Sequence, residues 1–402
     1  MSKIKVLMFG WEFPPFKSGG LGTACHDLTK GLAQEDVKVT FVMPHAPNGA
    51  NAKFVKLIGT NALAKNVNIK TVDSPLTPYM NESTYEQHLS NGGKNNAIYG
   101  KNLILEVKRY TALAEHVARN EEHDIIHAHD WMTYQAAIKA KRASKKPLVV
   151  HLHATEFDRT GGHPDPRISH IEYEGLNAAD VVITNSEFSK KNILTHYKIP
   201  ANKIKVVHWG IDEENIPKGT YKAANENIVL FLGRVTIQKG PDYFIETAKK
   251  VLEYEPNTTF VIAGDGDMLP RIINRTAELG IANNVIFTGA LRGDDVHKAF
   301  KTAKLYVMPS VSEPFGLVAL ESIKNGTPVL LSKTSGVSEV VQNALKADFW
   351  DIDSMTNKIV SVLRHSALRE DLSTNAKQES AKFTLREPAR KVKEIYETLR
   401  KH

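Results

Sequence analysis

Short, nearly continuous apolar runs recur along this chain, each followed by residues of helical period. IKVLMF, VKVTFVM, DIIHAH, PLVVHLH, DVVITN and IKVVHW form a first series; IVLFLG, TTFVIAG, NVIFTG, LYVMP and TPVLLS form a second. A strand that is apolar throughout is covered on both faces, and strands that alternate with helices build parallel sheets. Between the two series lies EENIPKGTYKAANEN, polar and without period, which reads as a linker. The 402 residues suit two domains. The expectation is an α/β chain of two doubly wound domains facing a cleft: residues 1–212, a linker at 213–227, and residues 228–384. An amphipathic last helix, from about Arg386 to Leu399, has no partner assignable from pattern alone. Residues 44–98, rich in Asn, Ser and Gly, read as a long loop or insertion.

The chain carries a net charge of +7, which favours an anionic partner such as a nucleotide, a nucleic acid or an acidic lipid. No zinc-finger spacing, aromatic RNA-binding motif or arginine-rich tail is present, so nucleic acid is disfavoured. The cluster KRASKK, Lys141 to Lys146, reads as a solvated helix end or as a peripheral membrane contact. Cys25 is the single cysteine, excluding an intramolecular disulfide. No apolar run approaches the roughly 18 residues of a membrane span. The first apolar stretch is too short for a signal peptide. A cytoplasmic location is the expectation.

Ligands of open α/β sheets bind beyond the carboxyl ends of the strands, and between two such domains the cleft is the default site. The chemistry-bearing motifs indeed follow strands. Gly19 and Gly20, in PPFKSGGLG, precede a helix start whose amides could meet a phosphate; the alternative is a plain turn. GRVTIQKG places Arg234 and Lys239 on one post-strand loop, where a guanidinium fork and an ammonium can converge on a diphosphate. In SEPFGLVALE, Pro314 suits a first helical turn, and amides near Phe315, Gly316 and Leu317 would attract phosphate. Glu313 lies before that helix and Glu321 about two turns inside it, so they could accept hydrogen bonds from a sugar and a ribose. The plain alternative is a helix-start cap and a solvated glutamate.

Histidines alternate as His127 and His129, then His151 and His153. One of each pair is expected at the cleft and the other packed; no carboxylate or cysteine set completes a metal shell. Asp130, Glu156, Asp158 and Arg159 follow those strands and could contact acceptor hydroxyls. AGDGD, with Asp265, and TGALR, with Leu291, could wall a nucleobase or simply be turns.

Taken together and in order, KSGGLG, HAHDW, HATEFDRTGG, GRVTIQKG and SEPFGLVALE resemble retaining nucleotide-sugar glycosyltransferases of families 4 and 5, including glycogen synthases. That resemblance implies two Rossmann-like domains of the glycosyltransferase B type, with the last residues, 385–402, crossing back to the first, acceptor-side domain. It implies that Arg234 and Lys239 hold the donor diphosphate, Glu313 the donor sugar and Glu321 the ribose. By the same pattern His153 lies near the donor sugar. The implied reaction needs no metal and no cofactor beyond a UDP- or ADP-sugar donor. The implied acceptor is an α-glucan, with a lipid-linked or small sugar as alternative, and an epimerase on the same fold as the rival chemistry. QNALKADFWD replaces the glycine-containing segment usual after TSGVSEVV in that family.

Overall fold

The computed structural model describes residues 3–14, 20–45, 54–60, 103–212 and 227–401. The first sheet contains β1 (Lys5–Phe9), β2 (Lys38–Met43), β3 (Lys56–Gly59), β4 (Ile125–His129), β5 (Leu148–Leu152), β6 (Val181–Thr184) and β7 (Ile204–Val206). The second contains β8 (Asn227–Leu232), β9 (Thr258–Ala263), β10 (Val285–Gly289), β11 (Leu305–Met308), β12 (Val329–Ser332) and β13 (Leu345–Ala347). Strand order is β3-β2-β1-β4-β5-β6-β7 in one sheet and β10-β9-β8-β11-β12-β13 in the other. The pairings are parallel. Each order reverses direction once, between β1 and β4 and between β8 and β11. These are the switch points where the loops beyond the strands diverge and leave a crevice.

Alternation along the strands divides the second domain's core. Val229 and Phe231 of β8, Leu305 and Val307 of β11 and Leu330 of β12 fill one face of the sheet. Leu230, Tyr306, Met308, Val329 and Leu331 fill the other, in an apolar core continuous with that of the first domain. Buried on both faces, these strands need the continuous apolar runs that announced them. The helix Arg386–Arg400 packs on the helix Gly20–Gln34 and against β4. Tyr396 OH meets His127 Nδ1, and Arg386 pairs with Glu35 at 2.8 Å. The chain end therefore lies on the first domain.

The structure corrects two readings and adds a strand the sequence left unassigned. Lys56–Gly59, inside the stretch read as loop, is edge strand β3, paired to β2; the remainder of 44–98, apart from 44–45, 54–55 and Thr60, lies outside the described residues. Leu345–Ala347 is edge strand β13. Asn227 opens β8 instead of closing the linker, and 213–226 lie outside the described residues. An edge strand is paired on one side only and needs no long apolar run, so neither KLIG nor LKA stands out. Among the described residues no helix is long and apolar enough to cross a membrane. Within KRASKK, Lys141 bonds Asp180 at 2.8 Å and the Ala178 carbonyl at 2.9 Å, while Arg142, Lys145 and Lys146 are exposed at the end of the helix Trp131–Ser144. Basic groups there complement the helix dipole.

Candidate active site

At the second switch point two loops meet. The loop after β8 closes in a 3-10 turn, Ile237–Lys239. It is seated by close backbone approach: a Cβ at Gly264, just beyond β9, would run into the Gly233 carbonyl oxygen. The loop after β11 carries Ser310 to Gly316. Gln238, buried between them, accepts from Arg234 Nη2 at 3.1 Å through its side chain and from the Val311 amide at 3.0 Å through its carbonyl. Lys239 Nζ forms an ion pair with the Glu313 carboxylate, to which Ser310 Oγ also points at 3.4 Å. The side chains of the pair are only 20% and 9% exposed. The R-x4-K and E-x7-E motifs thus join into one cluster, with Arg234 held next to it.

Glu321 lies half-buried in the helix Leu317–Lys324. Burial, then the negative charges of Glu313 and Glu321, push the Tyr306 phenol well above its ordinary pKa. Both carboxylates therefore act electrostatically on Tyr306, whose hydroxyl donates to the Leu232 carbonyl at 3.2 Å, at the end of β8. Pro314 is corrected: it precedes the helix instead of opening it. The helix begins at Leu317, with Gly316 as its cap at φ 106°. Phe315 is buried, and its carbonyl accepts from the Val337 amide at 2.7 Å. Gly20 opens the helix Gly20–Gln34 and is exposed. Gly19 lies outside the described residues.

On the facing domain His129 ends β4 and His153 follows β5, so one histidine of each pair lies at a strand end; all four are buried, those two as well as His127 and His151. The cause is register. β4 and β5 are neighbours with His129 opposite His151, so alternate residues of both strands line one face. The rings stack: His127 on His129 and His151 on His153, each pair with centroids 4.5 Å apart, and Trp209 lies parallel to His151 at 5.3 Å. His129 Nδ1 and His153 Nε2 share a hydrogen bond at 2.9 Å. Ligand atoms of His127, His129 and His151 lie within 4.8 Å of one another, as do those of Cys25, His129 and His153. A ring nitrogen binds a metal in the plane of its ring, and the stacked rings of His127, His129 and His151 do not aim three lone pairs at one point. Burial, reinforced for three of them by neighbouring histidines, lowers all four pKa values, that of His151 to about 4. The column is neutral at pH 7.

The other candidates make most of their contacts within their own domain; Asp158 also accepts from Ser312 of the second domain. Asp130 has φ 58° and ψ 168°, a conformation nearly confined to glycine. Its carboxylate turns inward to accept the His153 amide at 2.7 Å, and burial raises its pKa to about 6. Asp130 thereby fixes the backbone at His153. Arg159 pairs with Glu156 at 3.0 Å and with Glu172, and donates to the Ala154 carbonyl at 2.7 Å. Glu172 also accepts from Tyr197 OH, and burial raises it to about 7. Asp158 closes a capping box with Thr155. Asp265 is exposed and accepts its neighbour's Gly266 amide at 2.8 Å; Leu291 is half-buried against the core. Sequence reading missed Gln238, Asn185 (3.1 Å from His151 Nε2) and Glu172. Only Gln238, inside R-x4-K, carried a local signal.

Two family models cover most of the chain: glycosyl transferases group 1 over residues 212–379 and glycosyltransferase family 4 over residues 18–215. An uncharacterised glycosyltransferase of Methanocaldococcus jannaschii is 31% identical over 94% of this chain and 93% of its own length. A glycogen synthase of Mycobacterium tuberculosis is 26% identical over 93% of this chain and 90% of its own. Among solved structures, sucrose-phosphate synthase from Thermosynechococcus elongatus superposes with a TM-score of 0.77 at 19% identity, over 99% of both chains. Anabaena HepE in complex with UDP-glucose superposes with a TM-score of 0.69 at 17% identity, over 98% of this chain and 100% of its own. With two parallel-sheet domains and these matches, the chain belongs to the family 4/5 glycosyltransferases, on the glycosyltransferase B fold.

Proposed function

We propose that this glycosyltransferase moves a glucosyl unit from UDP- or ADP-glucose to an α-glucan, with retention of configuration and without a metal. The observation that carries the donor reading is the Lys239–Glu313 ion pair, set at the switch point beside Arg234. A buried pair is costly to desolvate and finds only part of that cost in its own attraction. An arriving diphosphate offers Lys239 a second anion, and Arg234 a fork-shaped partner. Glu313 then has a carboxylate oxygen for sugar hydroxyls, and Glu321 serves the ribose. The two cations stabilise the diphosphate as it leaves.

In this reading the bond from the anomeric carbon to the diphosphate oxygen breaks and a bond to the acceptor oxygen forms on the same face. The acceptor proton passes to the leaving phosphate oxygen. His153, neutral and fixed by His129 and Asp130, lines the sugar side as a hydrogen-bonding group. The HepE complex with UDP-glucose supports a nucleotide-sugar donor, and the glycogen synthase relative supports the glucan acceptor.

The test is release of nucleoside diphosphate from UDP-glucose and ADP-glucose, with and without glycogen and with a chelator. Glycogen-dependent release that survives the chelator is the expected result. Release independent of glycogen would remove the glucan acceptor, and loss of activity with the chelator would remove the metal-free clamp.

A further inference from the structure

Hydrogen bonds from the first domain fall on both chain neighbours of Glu313. On one side Ser312 Oγ donates to Asp158 Oδ1 at 2.5 Å. On the other the Pro314 carbonyl accepts from Ser186 Oγ at 2.6 Å and Ser189 Oγ at 3.3 Å. Asp158 does not need Ser312 for its own place. Its Oδ2 accepts from the Thr155 amide and hydroxyl, both at 2.7 Å, and its Oδ1 already accepts from Asn192 at 2.8 Å. Only 2% exposed, it offers a rigid anionic acceptor, and bonds to such an acceptor are short and strong. Ser186 is likewise fixed: it caps the helix Glu187–Tyr197 through the Ser189 amide at 3.0 Å while donating to Pro314. A Cβ at Gly336 would strike both the Pro314 carbonyl and Ser186, so glycine permits this approach. Glu339 of the second domain completes the junction, accepting the Glu187 and Phe188 amides at 2.9 and 2.6 Å.

We propose that Asp158 and Ser186 are positioning residues for transfer: they grip the Ser312–Pro314 turn from the first domain, adding to the second domain's own hold on the Glu313 backbone through the Thr334 carbonyl at 3.0 Å and the Gly336 amide at 2.9 Å, so that the Glu313 carboxylate is aimed for transfer when the two domains are docked. The inference rests on the proposed role of Glu313 toward the donor sugar. Arg234 and Lys239 belong wholly to the second domain, so diphosphate binding does not require the grip, whereas placement of the sugar does. Domain docking is thereby coupled to assembly of the sugar site, and a donor held in the undocked protein is not committed to transfer.

Ser312→Ala removes the bond to Asp158, and Ser312→Thr keeps a hydroxyl. The alanine variant is expected to bind UDP or ADP within about twofold of wild type yet to lose about 10–100-fold in kcat, the scale of a misplacement near 1 Å. The threonine variant is expected to recover most of that loss. Wild-type kcat in Ser312→Ala, or a parallel fall in nucleotide affinity and Tm, would overturn the proposal. A second readout needs no nucleotide. Amide hydrogen exchange at residues 312–316 is expected to rise at least tenfold in the Ser186→Ala, Ser312→Ala double variant, with β8 to β12 unchanged. Unchanged exchange at 312–316 would overturn the grip even if neither nucleotide binds wild type, a result that would count against the donor reading instead.

Discussion

The two strand-end regions that face each other across the cleft are built on opposite plans. In the first domain the charged groups are buried and engaged with one another or with the backbone. Arg159 has Glu156 and Glu172, Asp130 has the His153 amide, Asp158 has Thr155 and Asn192, and four imidazoles stack out of water. In the second domain Lys239 pairs with Glu313 and Arg234 donates to Gln238, on a loop seated by glycines, and under the proposed function an arriving anion takes over these partners. Under the proposed function the difference separates a fixed frame from exchangeable binding groups. Changes in the frame should cost stability, and changes in the exchanging loop should cost turnover.

The contrast can be broken from either side, and the largest effect is expected in the frame. Arg159→Met leaves two buried carboxylates, Glu156 and Glu172, without their cation, and should lower unfolding free energy by roughly 3–5 kcal/mol in denaturant titrations. Lys239→Ala and Arg234→Ala should each cost about 10²–10³ in turnover while leaving Tm near wild type; a collapse of Tm in either would dissolve the distinction. Gly240→Ala tests the seating of the loop. Gly240 has φ 65°, and a Cβ there would run into the Pro309 carbonyl. A destabilisation of about 1–3 kcal/mol is expected from strain alone, with more if the loop cannot shift.

The pH dependence sharpens the same point. His151 titrates near 4 in the fold against an ordinary 6.5, so the unfolded chain takes up its proton first as pH falls. Its contribution is complete above pH 6.5 and is lost between 6.5 and about 4, worth at most about 3 kcal/mol. The other three histidines act in the same direction. Asp130 and Glu172, raised to about 6 and about 7, act in the opposite direction and offset part of the loss. Tm should therefore fall on acidification below pH 6.5, and less steeply in His151→Gln.

Much of the fold was legible because both sheets are covered on both faces, and full burial writes itself as unbroken apolar runs such as VVITN and LYVM. The edge strands β3 and β13 escaped because each is short and only partly buried, whereas the other two edges, β7 and β10, lie in the apolar runs IKVVHW and NVIFTG. In the site, R-x4-K and E-x7-E were visible because each lies within one loop or its flanking helix. Their meeting through Lys239 and Glu313 depends on β8 and β11 being neighbours, which no local pattern states. The histidine column was half legible: alternation showed which residues share a face, but the register of β4 on β5 stacked them. Glu172 was invisible, since in ISHIEYEGL it reads as one more polar position on a helix.

Under the proposed function, Arg234 and Lys239 after β8 receive the donor diphosphate. Calorimetric titration of UDP and ADP into wild type, Arg234→Ala and Lys239→Ala tests it most directly. Saturable binding of at least one nucleotide to wild type, weakened at least tenfold in both variants at unchanged Tm, is the predicted result. Equal affinity in all three proteins would contradict it.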